Sequence, residues 1–138
     1  MNLTTCATLE LPIVSEDDVI LVRREARVLA EQIGLNAFAT AADTTATSEM
    51  ARNVWIHAGG GTARLEIVES GTRRGLRLVF SDHGPGIVDI PRALAGGYST
   101  ARSLGLGLSG TRRLVDDFDI QSVPGQGTVV TIIKWQRT

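Results

Sequence analysis

The sequence predicts an α+β fold, a two-layer α/β sandwich in which helices cover one face of a mixed, mostly antiparallel sheet. Three observations predict it. Several short segments alternate apolar and polar residues, as half-buried strands do. Other segments place apolar residues at helical spacing. Neighbouring strand segments are joined by short glycine-containing turns, which is typical of hairpins. With 138 residues, we expect a single domain over residues 1–138.

The first strand and the first helix are predicted at the start of the chain. Residues Ala7 to Ile13 alternate apolar and polar side chains, and Pro12 favours an edge strand. Ser15 is a suitable N-cap, with Asp18 in the reciprocal capping position. The apolar period that follows predicts a helix that ends at Gly34.

A second helix and a hairpin follow. The helix is predicted from about Ala37 to His57, where a run of three glycines stops it. Its first half is rich in alanine and threonine, which indicates close packing against a neighbour. Strands are then predicted over Ala63 to Glu69 and Leu76 to Ser81, joined through Gly71 and Gly75.

The last third of the chain contains two predicted helices and a second hairpin. A short helix is predicted over Asp89 to Ala95, and a longer one from the glycine-rich start at Gly105 through Phe118. Residues 96–103 between them are small and polar, with no apolar period. The final hairpin pairs Ile120–Val123 with Thr128–Trp135.

Composition excludes several classes of partner. The net charge is −1, so we expect neither nucleic acid nor an anionic membrane as partner. Aromatic residues are few, which argues against stacking on single-stranded nucleic acid. No segment is long and apolar enough to span a bilayer. The single cysteine, Cys6, fits a reducing cytoplasm.

Glu49 and Asn53 form the first candidate site. Their i, i+4 spacing on the second helix puts both side chains on one face. An asparagine oxygen is a suitable ligand for Mg²⁺, and a carboxylate one turn away could deprotonate an attacking hydroxyl. A solvated polar pair is the simpler interpretation of these two residues alone.

Residues Asp82 to Gly86 form the second candidate site, directly after the apolar run Leu76 to Phe80. The carboxylate can accept a hydrogen bond from an exocyclic amine, and the glycines lack the Cβ atoms that would block close approach. For the pentapeptide alone, an ordinary turn after a strand is the simpler interpretation.

Residues Gly105 to Gly110 form the third candidate site, because exposed amides at a helix N-terminus bind phosphate. Their GxGxxG pattern also occurs in dinucleotide-binding folds, which need a preceding strand and an acidic residue about twenty positions later. Residues 99–103 do not form a strand pattern, and 125–134 contain no Asp or Glu. We therefore reject nicotinamide redox chemistry and keep the phosphate site.

Taken in order, the three candidate sites resemble the N, G1 and G2 motifs of the GHKL (Bergerat-fold) ATP-binding superfamily. Within it, the chain is most similar to the serine/threonine switch kinases of bacterial stressosome signalling, which are related to anti-sigma factor kinases. The resemblance covers nearly the whole chain and is carried by five segments: 48–53, 82–87, 97–100, 104–113 and 134–135.

The resemblance implies a Mg-ATP site with named roles. Asp82 would accept from the adenine amine, with Gly84, Gly86 and Ile87 beside the base. Asn53 would coordinate Mg²⁺, and Glu49 would be the catalytic base for the substrate hydroxyl.

The remaining implied contacts involve the phosphates and the far side of the base. Residues 96–103 would form a short lid from which Arg102 reaches the terminal phosphate, and Thr128 would support the adenine. Backbone amides would bind the phosphates at Gly105, Leu106, Gly107 and Leu108. His57, at a helix end, is expected to contact the helix dipole rather than a phosphate.

The resemblance also implies substrates and partners. These would be serine or threonine residues on STAS-domain proteins, with a PP2C-type phosphatase activated by the released kinase. Two alternatives stay open: an anti-sigma factor kinase that sequesters a sigma factor, and a non-catalytic binding module in which ATP only sets a conformation.

Overall fold

A computed structural model describes residues 3–95 and 104–137. Within these residues the chain forms five strands and four helices. In chain order they are β1 (Thr4–Ile13), α1 (Glu16–Gln32), α2 (Ala37–Ala58), β2 (Gly61–Ser70), β3 (Arg73–Asp82), α3 (Ile90–Ala95), α4 (Leu104–Leu114), β4 (Asp117–Val123) and β5 (Gly127–Trp135). None of the helices in the described ranges is long and apolar enough to cross a membrane.

The strands form a single five-stranded sheet in the order β1-β2-β3-β5-β4. The predicted α+β class and both hairpins are confirmed, and β1, which contains Pro12, is an edge strand as predicted. All four ladders are antiparallel. The expectation of a mixed sheet is therefore corrected to an antiparallel one for the described part of the chain.

The core lies between the sheet and the helices. Alternate residues of the strands point toward α1, α2 and α4, and the largest side chains that they bury are Ile13, Leu65, Leu76, Leu78, Phe80 and Ile132. From the helices, Val22, Met50 and Leu108 complete this layer. The fully buried Ala26, Ala30 and Ala46 let α1 and α2 approach closely, as the small residues of α2 predicted.

The caps of α1 follow the predicted residues, with one change of partner. The Ser15 hydroxyl accepts from the Asp18 backbone N–H at 3.3 Å. The Asp18 carboxylate accepts from the backbone N–H of Val14 at 2.8 Å, one residue before the expected Ser15. Gly34 ends the helix with φ of +83°, a conformation that costs glycine little.

Gly75 is not part of the turn between β2 and β3, contrary to the prediction. Ser70 pairs with Arg73, so the turn consists of Gly71 and Thr72. Gly75 lies inside β3, where a Cβ would sit 2.7 Å from the Trp135 ring. The glycine therefore makes room for an indole on the sheet face that faces away from the helices.

The helix that starts at α4 ends at Leu114 and does not reach Phe118, which lies in β4. Burial alternates along β4, with Phe118 and Ile120 packed on the core and Asp117 and Asp119 exposed. Asp116 fixes the change of direction, because its carboxylate accepts from the Trp135 backbone N–H at 2.7 Å.

Candidate functional site

A cleft opens between the second half of α2, the end of β3, α4 and the start of β5. The polar side chains along it are Asn53, His57, Asp82 and Thr128. Its floor is apolar and consists of Met50, Val54, Phe80, Leu108 and Val130.

Asp82 ends β3 and is held by a bond to its own loop. Its Oδ1 accepts from the backbone N–H of Gly84 at 2.9 Å. Among the described residues no hydrogen bond to Oδ2 is found, so the second oxygen can accept from a ligand. An oriented carboxylate beside an apolar floor suits the amine edge of a flat ring.

Gly84 and Gly86 let the segment after β3 approach two neighbours. A Cβ on Gly84 would lie 2.6 Å from the Ala58 Cβ in the last turn of α2. A Cβ on Gly86 would lie 2.5 Å from the Val123 carbonyl oxygen, and its φ is +76°. Close packing within the protein therefore requires both glycines, in addition to any room that a ligand needs.

A pair of hydroxyls ties this segment to the last hairpin. The Ile87 backbone N–H donates to Ser122 Oγ at 2.7 Å, and Ser122 Oγ lies 2.8 Å from Thr128 Oγ1. The Gly125 backbone N–H donates to the Pro85 carbonyl at 2.7 Å. These bonds fix Ile87 and Thr128 on the wall of the cleft that Asp82 also borders.

Asn53 faces α4 across the cleft. A Cβ on Gly107 would sit 3.3 Å from the Asn53 Nδ2, so the glycine allows α4 to lie close to the carboxamide. The Nδ2 is buried and has no hydrogen-bond partner among the described residues. A polar group left unpartnered at the cleft fits contact with an incoming polar ligand.

Glu49 lies one turn before Asn53 on α2, but it does not line the cleft. Its carboxylate pairs with Arg52 at 3.5 Å, and its side chain is 41% exposed. A surface pair of this kind stabilises a helix little. The carboxylate can therefore leave Arg52 for a substrate hydroxyl at little cost.

His57 lines the cleft one turn after Asn53, a position that the sequence analysis did not assign. Burial lowers the pKa of its imidazole, whereas a helix C-terminus favours the charged form. His57 lies in the last turn of α2, as expected, and its contact with the helix dipole stays a prediction. The i, i+4 spacing from Asn53 was the signal that could have placed it in the cleft.

The structure brings together most of the predicted site residues. The cleft is lined by Asn53, Asp82, Gly86, Ile87, Leu108 and Thr128, with Gly84 and Gly107 directly behind it. Gly105 and Leu106 lie in the first turn of α4, and Arg102 lies outside the described residues. In the described ranges no group of three or more His, Cys, Asp or Glu could hold a metal ion.

Chemically, this arrangement suits a nucleotide with its cation. The cleft offers one oriented carboxylate, an apolar floor, a carboxamide and a helix start with glycines. A carboxamide oxygen is one ligand that Mg²⁺ accepts when phosphate oxygens and waters supply the others. The residues present therefore fit Mg²⁺ brought in with a phosphate ligand, rather than a metal held by protein side chains alone.

Sequence comparisons link the chain to known proteins. The family model described as "Histidine kinase-like ATPase domain" matches residues 14–134. The chain is 41% identical over 125 residues to the serine/threonine-protein kinase RsbT of Bacillus subtilis (strain 168), covering 91% of this chain and 94% of that protein. It is 33% identical over 98 residues to the anti-sigma F factor of Pasteuria penetrans, covering 65% of this chain and 64% of that protein.

Solved structures with a similar fold include a chain of the SiaB–SiaC complex from Pseudomonas aeruginosa, with a TM-score of 0.55 and 12% identity. The match covers 95% of this chain and 90% of that chain. A histidine kinase domain from the blue-light activated histidine kinase of Erythrobacter litoralis EL346 matches with a TM-score of 0.53 and 20% identity. This match covers 84% of this chain and 59% of that chain. At these identities the similarity concerns the fold alone.

Proposed function

This chain belongs to the family of histidine kinase-like ATPase domains, and we propose that it transfers the terminal phosphate of Mg-ATP to a serine or threonine of a STAS-domain partner. The enzyme class predicted from the sequence, a serine/threonine protein kinase, is confirmed by the similarity to RsbT over 91% of the chain. The observation that carries the proposal is the single cleft that Asn53 and Asp82 share.

The proposal gives each cleft residue a task. The free Oδ2 of Asp82 accepts from the adenine amine, while Met50, Val54 and Phe80 pack against the ring. The carboxamide of Asn53 would hold Mg²⁺, which when bound would neutralise charge on the phosphates. The first turn of α4 donates backbone amides to the phosphates through Gly105, Leu106, Gly107 and Leu108.

The reaction then needs little beyond positioning and a base. Glu49 accepts the proton of the substrate hydroxyl as its oxygen attacks the terminal phosphorus, and the bond to the leaving ADP oxygen breaks. Arg102, which lies outside the described residues, is proposed to contact the terminal phosphate. Because Glu49 is half exposed and outside the cleft, the docked partner must bring its hydroxyl to that carboxylate. We therefore expect slow transfer to free peptides and faster transfer to a folded partner.

The proposed context is partner switching in the cytoplasm. Phosphorylation of the STAS partner releases the kinase, which then activates a PP2C-type phosphatase. An anti-sigma factor is the second candidate, and the similarity to the anti-sigma F factor supports it. Co-purification of an RNA polymerase sigma subunit with the chain would favour the second candidate over the first.

The test is phosphate transfer from Mg-ATP to candidate STAS proteins, followed by mass measurement of the partner. For Glu49→Gln we expect ATP binding to persist and the rate of transfer to fall by about two to four orders of magnitude, the usual size of general-base loss. Glu31→Gln is the matched control, since Glu31 also pairs with an arginine, Arg27, on a helix surface. Undiminished transfer by Glu49→Gln would remove Glu49 from the mechanism, and no transfer by the unaltered chain would favour a non-catalytic ATP-binding module.

A further inference from the structure

Asp43 is a fully buried carboxyl that the proposed reaction does not use. It lies in the first half of α2 and is 0% exposed. Neither carboxylate oxygen has a hydrogen-bond partner in the part of the chain that the structure describes. An ionised carboxylate without partners is costly to bury, so this group requires an explanation.

Two buried hydroxyls lie on the same pair of helices. Thr47 follows Asp43 by one turn and therefore shares its face of α2. Thr111 lies on α4, which packs against α2. Both threonines are 0% exposed, and neither hydroxyl has a partner among the described residues. Unsatisfied polar atoms thus concentrate on the two helices that also form the cleft.

Lys134 brings positive charge to this region from β5. Its Nζ donates to the Leu114 carbonyl at the end of α4 at 2.9 Å and lies 3.8 Å from the Asp116 carboxylate. Burial, the largest influence, raises the pKa of the Asp43 carboxyl to about 7, while the charge of Lys134 lowers that pKa and the charge of Asp116 raises it. The carboxyl therefore changes its charge near neutral pH.

The other cations on the neighbouring helices lie in solvent. Arg112 and Arg113 of α4 are exposed, as are Arg23 and Arg27 of α1. Lys134 and Asp116 are thus the charged groups, within the described ranges, whose influence on Asp43 is resolved.

We propose that Asp43 is a positioning residue: the charge of its buried carboxyl acts on Lys134, which holds the end of α4, so that the seating of α4 on α2 and the nucleotide affinity depend on whether Asp43 carries its proton. Thr47 and Thr111 are the buried hydroxyls of the same two helices. We call these four residues the α2–α4 latch. The last part of the proposal rests on the proposed ATP site, whereas the seating of α4 does not.

The direction follows from the position of Lys134. With Asp43 protonated, the lysine stays on the Leu114 carbonyl and stabilises the C-terminus of α4. Ionisation creates a buried anion that attracts the Lys134 ammonium away from that carbonyl. The helix then loses its C-terminal contact, and its first turn, which faces Asn53, is held less firmly. Nucleotide affinity should therefore fall as the pH rises through 7.

The test compares the unaltered chain with Asp43→Asn, which resembles the protonated carboxyl. Calorimetry with magnesium and a non-hydrolysable ATP analogue between pH 6 and pH 8.5 should show a loss of affinity of about fivefold or more for the unaltered chain. Asp43→Asn should keep the affinity of the low-pH form throughout. The comparison cancels the protonation of the nucleotide itself and of His57, which both proteins share.

Hydrogen exchange of the α4 amides without nucleotide provides the second readout. After correction for the intrinsic pH dependence, protection should decrease above pH 7 in the unaltered chain and stay constant in Asp43→Asn. Equal pH profiles for the two proteins in both assays would overturn the latch. Absence of analogue binding at every pH, combined with the expected exchange profiles, would instead contradict the proposed ATP site and leave the seating of α4 supported.

Discussion

Gly107→Ala tests the distance between α4 and Asn53, on which the phosphate end of the cleft depends. The added Cβ would lie 3.3 Å from the Asn53 Nδ2. At this separation the carboxamide must move by a few tenths of an ångström. In a helix, however, alanine is favoured over glycine by about 1 kcal/mol. The substitution should therefore raise or preserve the stability of the fold while it displaces a ligand group.

The expected loss of nucleotide affinity is about 1–2 kcal/mol, a factor of about 5–30, which corresponds to much of one charge-assisted contact. Calorimetry with Mg-ADP measures it, and urea unfolding measures stability in parallel. An affinity loss without a stability loss separates a local effect at Asn53 from general damage to the fold.

Gly110→Ala is the matched control on the same helix. Apart from its chain neighbours and the backbone of its own helix, no atom of the described residues lies within 4 Å of the position that its Cβ would take. This variant should gain about 1 kcal/mol of stability with nucleotide affinity unchanged. The reasoning would be refuted if Gly107→Ala bound nucleotide as well as the unaltered chain, or if both variants lost affinity equally.

Three further predictions concern Asp82, Asp43 and Gly75. Asp82→Asn can keep the hydrogen bond to the Gly84 N–H, but it presents a donor where the adenine amine needs an acceptor. Calorimetry should therefore show a nucleotide affinity that is lower by about tenfold or more. An unchanged affinity would contradict the adenine assignment. Asp43 has a pKa of about 7 in the folded chain and about 3.9 when unfolded, so the folded state binds more protons between these values. The free energy of unfolding measured in urea should therefore fall by at most about 4 kcal/mol as the pH rises from 4 to 7, and then level off. A similar slope in Asp43→Asn would assign this pH dependence to other groups. Gly75→Ala places a Cβ 2.7 Å from the Trp135 ring and should destabilise the fold by about 1–3 kcal/mol, whereas urea unfolding at wild-type stability would show that the indole can move away.

Local patterns predicted the elements well where one period dominated. The alternation that ends at Ile13 and the helical spacing after Ser15 each had a single interpretation, and the structure confirms both. The stretch from Leu114 to Phe118 was predicted to be helical, but Phe118 belongs to the alternation that continues to Ile120. The pairing with β5 places Phe118 in the strand, because Phe118 pairs with Ile132 in an extension of the last hairpin.

The candidate site, too, could be predicted where local residue types were informative. Asn53 and Asp82 stood out because their residue types suit nucleotide chemistry, and the fold places both on one cleft. The environment of Asp43 was invisible, because its burial depends on the packing of α4 and β5 against α2. The true partner of Gly75 could not be predicted either, since Trp135 lies sixty positions later in the chain.

The hydrogen bonds from Ile87 to Ser122 and from Gly125 to Pro85 have a thermodynamic consequence. They join the segment after Asp82 to the last hairpin and hold that wall of the cleft in place before anything enters. Preorganised walls reduce the entropy that a ligand must remove on association. Under the proposed assignment, an adenosine fragment without phosphates would therefore meet a preorganised surface, and the base would be recognised whether or not phosphates are bound.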